Sequence, residues 1–248
     1  MTVLVGTCGF AEAQDRIFRD MDCLEVQKTF YQPPRVATAE RWRAKAPAAF
    51  RFMVKAWQLI THEASSPTYR RLREDLTAAQ RADCGRLRWN GTTAQAWDRT
   101  RQIATALDAE AVVFQTPKGF RPTADNLAHL RTFFGEAERD GRLMVFEPRG
   151  EEWEDALLAP LLAELDLVHG VDPFLRAPAG DGPAYFRLHG RPAYHYRYRY
   201  TDDDLDRLAA WLREREEARV LFNNDCMADD ARRLRRRLAD PAEGPSLE

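Results

Sequence analysis

The sequence predicts a (β/α)8 barrel of the TIM type, a single α/β domain. Eight short apolar runs alternate with amphipathic segments from one end of the 248 residues to the other. Nearly every run closes on an ionisable or amide side chain, as a barrel with its site at the C-terminal strand ends requires. Eight strand–helix units also fill about 240 residues better than an open doubly wound sheet does. No Gly/Ser linker or internal repeat divides the chain, so residues 1–240 read as one domain. Residues 241–248, Pro/Gly-rich and without apolar period, read as a flexible tail.

The strands fall at residues 3–8, 24–27, 50–55, 111–115, 143–147, 168–172, 184–189 and 220–224. Each is a short run bounded by turn residues or by helical patterning. The helices fall at 38–45, where Trp42 is apolar and Pro47 follows, and at 93–107, where Trp97, Ile103 and Leu107 recur at helical spacing behind Thr92 as N-cap. Segments 126–139, 151–165, 202–217 and 229–238 follow the same pattern. The connection between strands six and seven, 173–183, is Pro/Gly-rich and too short for a proper helix. Residues 58–89 form an extended insertion after strand three, where βα loops run to about 2–6 residues. Within it Ser66-Pro67 starts a helical turn, and the segment is either a lid over the barrel mouth or a surface decoration.

Net charge is near zero, 37 Lys+Arg against 39 Asp+Glu, which argues against a nucleic-acid coat protein. Of those 37 cations, 33 are Arg and only four are Lys: Lys28, Lys45, Lys55 and Lys118. Lys28, Lys55 and Lys118 fall at or just beyond strand ends two to four, a placement that favours an anionic ligand. The N-terminus lacks the basic and apolar regions of a signal peptide, and no run approaches the ~20 residues of a membrane span. Cys8, Cys23, Cys84 and Cys226 have no CxxC spacing, so free thiols in a cytoplasmic protein are expected.

Side chains alternate along a strand, so each inward face can be read directly. Glu25 and Gln27, Val145 and Glu147, and Tyr185, Arg187 and His189 are assigned to the barrel side; Leu24, Val26, Met144, Phe146, Phe186 and Leu188 to the helix side. Lys55, Gln115, Asp172, Asn223 and Asn224 close the remaining strands. Lys55, Glu147 and His189 are the candidate catalytic groups. Lysine is a compact cation whose pKa falls on burial, suiting an acid/base group, an anion clamp or a Schiff-base nucleophile. The candidate ligand contacts are Glu25, Gln27, Tyr31, Gln115, Arg149, Asp172, Arg187, Arg191, Tyr198, Asn223 and Asn224. Residues 194–200 hold four of the seven tyrosines, interleaved with His195, Arg197 and Arg199, in the loop after strand seven where barrels often bind phosphate. If extended, that stretch offers rings on one side and cations on the other, as single-stranded nucleic acid requires. The basic run 232–237 reads as a solvated helix face, and Cys8 as a buried, inert thiol.

Gly6-Thr7-Cys8-Gly9, Thr29-Phe30-Tyr31-Gln32-Pro33-Pro34, the 50–57 block ending Lys55-Ala56-Trp57, and Ile60-Thr61-His62 resemble successive blocks of the YecE-like family, domain of unknown function 72. Phe114-Gln115-Thr116-Pro117, Phe146-Glu147-Pro148-Arg149, the 185–191 block around Arg187 and His189, and Phe222-Asn223-Asn224-Asp225 continue the resemblance in order. It implies a TIM-type barrel and no established activity. The family pattern carries Ser and Trp where Cys8 and Phe10 stand, and Asn and Ser at Gln27 and Lys28.

Three functions remain open. One is a metal-independent enzyme in which Lys55, Glu147 and His189 do acid/base work on a small anionic substrate held by Arg149, Arg187 and Arg191. Another, by likeness to xylose-isomerase-like and abasic-site endonuclease barrels, places a divalent metal on Glu147, Asp172, His189 and Asp225 for phosphoester cleavage. The third is a non-catalytic module binding nucleic acid or a nucleotide through the Tyr/Arg stretch. No cofactor is predicted for the first, and no reading sets the oligomeric state.

Overall fold

The computed structural model describes residues 2–180 and 182–239. Eight parallel strands close in chain order: β1 (Thr2–Cys8), β2 (Cys23–Val26), β3 (Arg51–Lys55), β4 (Ala109–Gln115), β5 (Leu143–Glu147), β6 (Val168–Val171), β7 (Ala184–Leu188) and β8 (Glu217–Phe222). The ring shuts where β1 pairs with β8, from Thr2 beside Glu217 to Thr7 beside Phe222. The helices are α1 (Gln14–Asp20), α2 (Lys28–Tyr31), α3 (Val36–Lys45), α4 (Gln58–Thr61), α5 (Ala78–Asp83), α6 (Gly91–Ala106), α7 (Ala124–Glu136), α8 (Asp155–Glu164), α9 (Asp202–Arg213) and α10 (Met227–Ala239). Among the described residues no helix is long and apolar enough to cross a membrane. All four cysteines are unpaired.

Strand parity sorts the core into two compartments. Leu24, Val26, Phe52, Val54, Val112, Phe114, Met144, Phe146, Phe186 and Leu188 pack outward against the helices. Cys8, Cys23, Met53, Ala111, Val113, Val145, Tyr185 and Leu221 fill the barrel. Every apolar helix-side and barrel-side assignment at β2, β5 and β7 is therefore met. β1 and β2 approach so closely that a Cβ on Gly6 would lie 2.0 Å from the Cys23 carbonyl oxygen.

Several boundaries differ from expectation. β8 spans Glu217–Phe222 rather than 220–224, because Arg219 is a strand residue whose buried guanidinium reaches Glu110 and Glu217. Asn223 and Asn224 therefore follow the strand. α6 is capped by Asn90, whose side chain accepts from the Thr92 and Thr93 amides, and not by Thr92. α1 lacks a side-chain cap and has no counterpart in the pattern reading. The connection from β6 to β7 carries no helix among its described residues, as expected. The proposed tail, 241–248, lies outside the described residues.

The long insertion is part of the core. Leu59, Ile60, Tyr69, Cys84 and Leu87 are buried in it, and Ser66 caps a 3-10 turn, Pro67–Arg71. Gly85 donates to the Leu59 carbonyl and Leu87 to that of Ile60, while Trp89 packs on Phe133. It is neither a decoration nor a cover on the cavity described below.

Four of the five arginines in the basic run on α10 are ion-paired. Arg232 pairs with Glu12 and Asp20, Arg233 with Asp202 and Asp230, Arg235 with Asp22, and Arg237 with Asp202 and Asp206. Forked guanidinium contacts of this kind explain a preference for Arg over Lys.

Gly6→Ala forces a methyl group into backbone, so it lowers unfolding free energy by roughly 2–3 kcal/mol or prevents folding, read as a reduced urea midpoint at unchanged slope.

Candidate active site

At the C-terminal end of the barrel the inward residues of β2, β5 and β7 meet around one guanidinium. Arg187 is wholly buried. Its Nε donates to Glu25 Oε2 at 2.9 Å and one terminal nitrogen to Glu25 Oε1 at 2.8 Å. Its other terminal nitrogen donates to Glu147 Oε2. Glu25 also accepts from the Tyr185 hydroxyl at 3.1 Å and from the Gln27 amide. Two buried carboxylates thus face one buried cation, and burial alone costs each ion several kcal/mol before pairing offsets it.

Glu147 also accepts from Arg149 Nε at 3.3 Å. Burial would raise its pKa, but Arg187, His189 and Arg149 overcome that and hold it down at about 2. It stays a carboxylate at any working pH and is no proton donor. His189, 1% exposed, lies between two acids: Nε2 is 4.0 Å from Glu147 Oε1 and Nδ1 is 3.8 Å from Asp172 Oδ2. Nδ1 is buried without a partner. Both Asp172 oxygens are occupied by backbone amides, of His189 at 2.9 Å and Phe174 at 3.1 Å. Burial lowers the His189 pKa despite the two acids, so the ring is neutral at pH 7.

Lys55 ends β3 on the barrel side. Its Nζ donates to Gln115 Oε1 at 2.8 Å and stands 4.1 Å above the Phe30 ring. Burial first, then the Arg187 charge, pulls its pKa down to about 7. His62 packs edge-on to the same ring at 4.9 Å and is kept neutral, burial and the charges of Lys55 and Arg149 lowering its pKa to about 3.

Beside this cluster a cavity of about 660 Å³ opens between the ends of β5, β6 and β7. Glu147, Arg149, Asp172, His189, Lys118, Arg176, His169 and Tyr194 are in its lining. Arg149 lies against the Tyr194 ring at 4.1 Å, which in turn packs on His189 at 5.3 Å. Lys118, exposed, has no ion pair among the described residues. The lining holds three cations, Lys118, Arg149 and Arg176, and three carboxylates, Glu147, Glu151 and Asp172, around a neutral imidazole, and of the cations Arg149 is paired with Glu147 and Arg176 with Asp155.

A family model described as "Protein of unknown function DUF72" matches residues 16–246. The chain belongs to this family. The resemblance carried by the strand-end motifs is thereby borne out. A DUF72 family protein from Enterococcus faecalis superposes with a TM-score of 0.74 at 17% identity, over 97% of this chain and 98% of that one. A second, from Thermotoga maritima, gives 0.66 at 20% identity over 97% and 100%. A D-tagatose 3-epimerase-like protein gives 0.56 at 15% identity over 96% and 97%. No protein with a curated description matches.

Within this DUF72 chain some of the predicted site residues gather at the mouth and others are engaged away from it. Lys55, Glu147, His189, Glu25, Gln27, Gln115, Asp172, Arg149 and Arg187 converge on the mouth. Arg187, however, is 0% exposed and each of its three nitrogens donates to Glu25 or Glu147, so it is a strut and not an anion-binding fork. Arg191 and Tyr198 turn away: the Arg191 guanidinium and the Tyr198 hydroxyl both bind Asp204 at the start of α9. Asn224 ties the Tyr198 carbonyl to Asp230, and Asn223 donates its amide to the Leu188 carbonyl. Tyr31 stacks with Arg71 at 3.5 Å, outside the cavity lining.

The Tyr/Arg stretch is a series of turns, not an extended strip. Tyr200 is buried and its hydroxyl accepts from the Gly190 amide; only Tyr194 and Tyr196 project near His189. Of the acids named for a divalent metal, Glu147 is engaged by two guanidiniums and Asp172 by two amides, while Asp225 is exposed and outside the cavity lining. Among the described residues no group of three or more His, Cys, Asp or Glu is arranged to hold an ion. Cys8 is buried, and burial with the nearby Glu25 charge pushes its thiol pKa far up, leaving it unreactive.

Pattern reading missed His62, His169, Arg176 and Tyr194. Tyr194 carried a signal, its place in the tyrosine stretch. His169 sits on the helix-facing parity of β6 and gave none.

Arg187→Met leaves Glu25 and Glu147 buried without their cation. It costs roughly 3–5 kcal/mol, and the loss eases on acidification as the carboxylates neutralise, measurable by urea unfolding at pH 8 and pH 5. Lys55 acts oppositely. Its folded pKa lies below its unfolded 10.5, so the unfolded chain binds more protons between about 7 and 10.5 and burial costs stability below that window. Lys55→Met therefore stabilises the fold by roughly 2–4 kcal/mol at pH 7, and the gain vanishes above pH 10.5 in the same assay.

Proposed function

We propose that the barrel mouth is an acid–base active site for a small anionic substrate bearing a phosphate or carboxylate. The observation that supports this best is the cavity itself: it brings the neutral His189 ring beside Arg149 and within one enclosure of Lys118. The anion sits against Arg149 and Lys118, because Arg187 is wholly buried and outside the cavity lining. His189 is the proton acceptor, its pKa below the histidine norm keeping a lone pair free at pH 7. Lys55, poised near neutrality, is the complementary group that carries or releases a proton. Glu147 is a permanent anion that orients Arg149 and Arg187 and offsets positive charge developing on His189. Tyr194 forms the outer wall, and its planar face suits the uncharged body of the substrate.

Inorganic phosphate and pyrophosphate, titrated by NMR into the full chain, test the binding half of this reading. Both shift Arg149 and Tyr194 resonances, and Arg149→Gln or Lys118→Gln weakens pyrophosphate binding about tenfold. Absence of saturable shifts with either anion, or variants binding as well as the parent, sinks it.

A further inference from the structure

Lys55 is unusual in its isolation. Among the described residues no carboxylate oxygen lies within ion-pair distance of its Nζ; there the amine has one hydrogen-bond acceptor, Gln115, and one aromatic face, Phe30. The acids that would neutralise it are committed elsewhere, Glu25 to Arg187, Gln27 and Tyr185, and Glu147 to Arg187 and Arg149. In a chain that uses Arg for 33 of 37 cations, a buried structural cation would be expected to be Arg. A guanidinium would also supply the contacts to Gln115 and Phe30. What it cannot supply is a nucleophilic amine.

We propose that Lys55 is a Schiff-base residue, condensing with the carbonyl carbon of an aldehyde, ketone or 2-oxo acid bound in the mouth. This rests on the reading of that mouth as an acid–base site and names the substrate class it acts on. In the condensation the Nζ lone pair attacks the carbonyl carbon and the C–O bond breaks. One ammonium plus one carbonyl gives one iminium plus one water, the two protons shed by nitrogen leaving with the oxygen. Cationic charge is conserved, so the surroundings that tolerate the ammonium also tolerate the iminium. Those surroundings are Glu25 on β2, Glu147 on β5 with Arg149 just beyond it, Arg187 on β7, and the uncharged Gln115 and His62. Half of the Lys55 population is free amine near pH 7, whereas an ordinary lysine is almost wholly protonated there.

The chain has only four lysines, which makes the test direct. The full chain is incubated at pH 7 with glyoxylate and cyanoborohydride, which reduces the iminium to a secondary amine, and the adduct is mapped by peptide mass spectrometry. Lys55 is labelled at least about tenfold faster than Lys28, Lys45 and Lys118, with a labelling profile whose midpoint lies near pH 7 and not above 10. Labelling of Lys55 no faster than the other three overturns the proposal. Acetaldehyde, a carbonyl without an anionic group, separates this from the reading beneath it. Selective labelling of Lys55 by both reagents at equal rates, unchanged by Arg149→Gln, supports the imine and removes the anion site. A preference for glyoxylate that Arg149→Gln abolishes supports both.

Discussion

A guanidinium at the centre of the barrel's upper layer, with carboxylates on opposite sides, is the constraint on which the rest of the site depends. Arg187 reaches from β7 to Glu25 on β2 and to Glu147 on β5, so three strands spaced around the ring are held in one charge arrangement. None of the three can be buried alone, since an unpaired ion there costs several kcal/mol. Together they turn what would be an apolar plug into a rigid polar floor. Around that floor stand Lys55 and Gln115 at the ends of β3 and β4, and Arg149 and His189 beside the cavity at the ends of β5 and β7.

The floor also sets which groups are free to exchange protons. Glu147 is so well compensated that it never leaves the anionic state, whereas Lys55 and His189 are drawn toward neutrality because burial outweighs the acids near them. Groups of like environment are thus driven apart in behaviour by their partners, the usual way a fold assigns acid and base roles. Cys8, in the same layer, is likewise held neutral by burial, which raises its thiol pKa, and becomes an inert packing group.

The fold was legible because its signals are local. Period-two alternation placed Glu25, Glu147, Arg187 and His189 inside the barrel, and the structure puts each there. What alternation does not contain is partnership. Arg187 is matched by acids 162 and 40 residues away, and Arg219 by one 109 residues away. From sequence, Arg187 and Arg191 looked equally available to a ligand, yet both are spent, on Glu25 and Glu147 and on Asp204. The same non-local pairing bears on β8, whose observed start at Glu217 takes in Arg219, a buried cation matched by Glu110 and Glu217. The tyrosine stretch failed for a related reason: Tyr198 and Tyr200 find hydroxyl partners in Asp204 and the Gly190 amide, and the chain turns to reach them.

The insertion after β3 has its two ends stitched together, Gly85 to Leu59 and Leu87 to Ile60. The chain therefore leaves the ring and returns to it at nearly the same point. To the barrel this long excursion is a short bridge, because its two ends are tied to each other whatever the length of chain between them. The pouch so closed is filled from within: Tyr69 and Cys84 pack into the main core beside Leu59, Ile60 and Leu87. Its exposed rim is free to vary, whereas its buried residues are held by the same packing as the barrel itself.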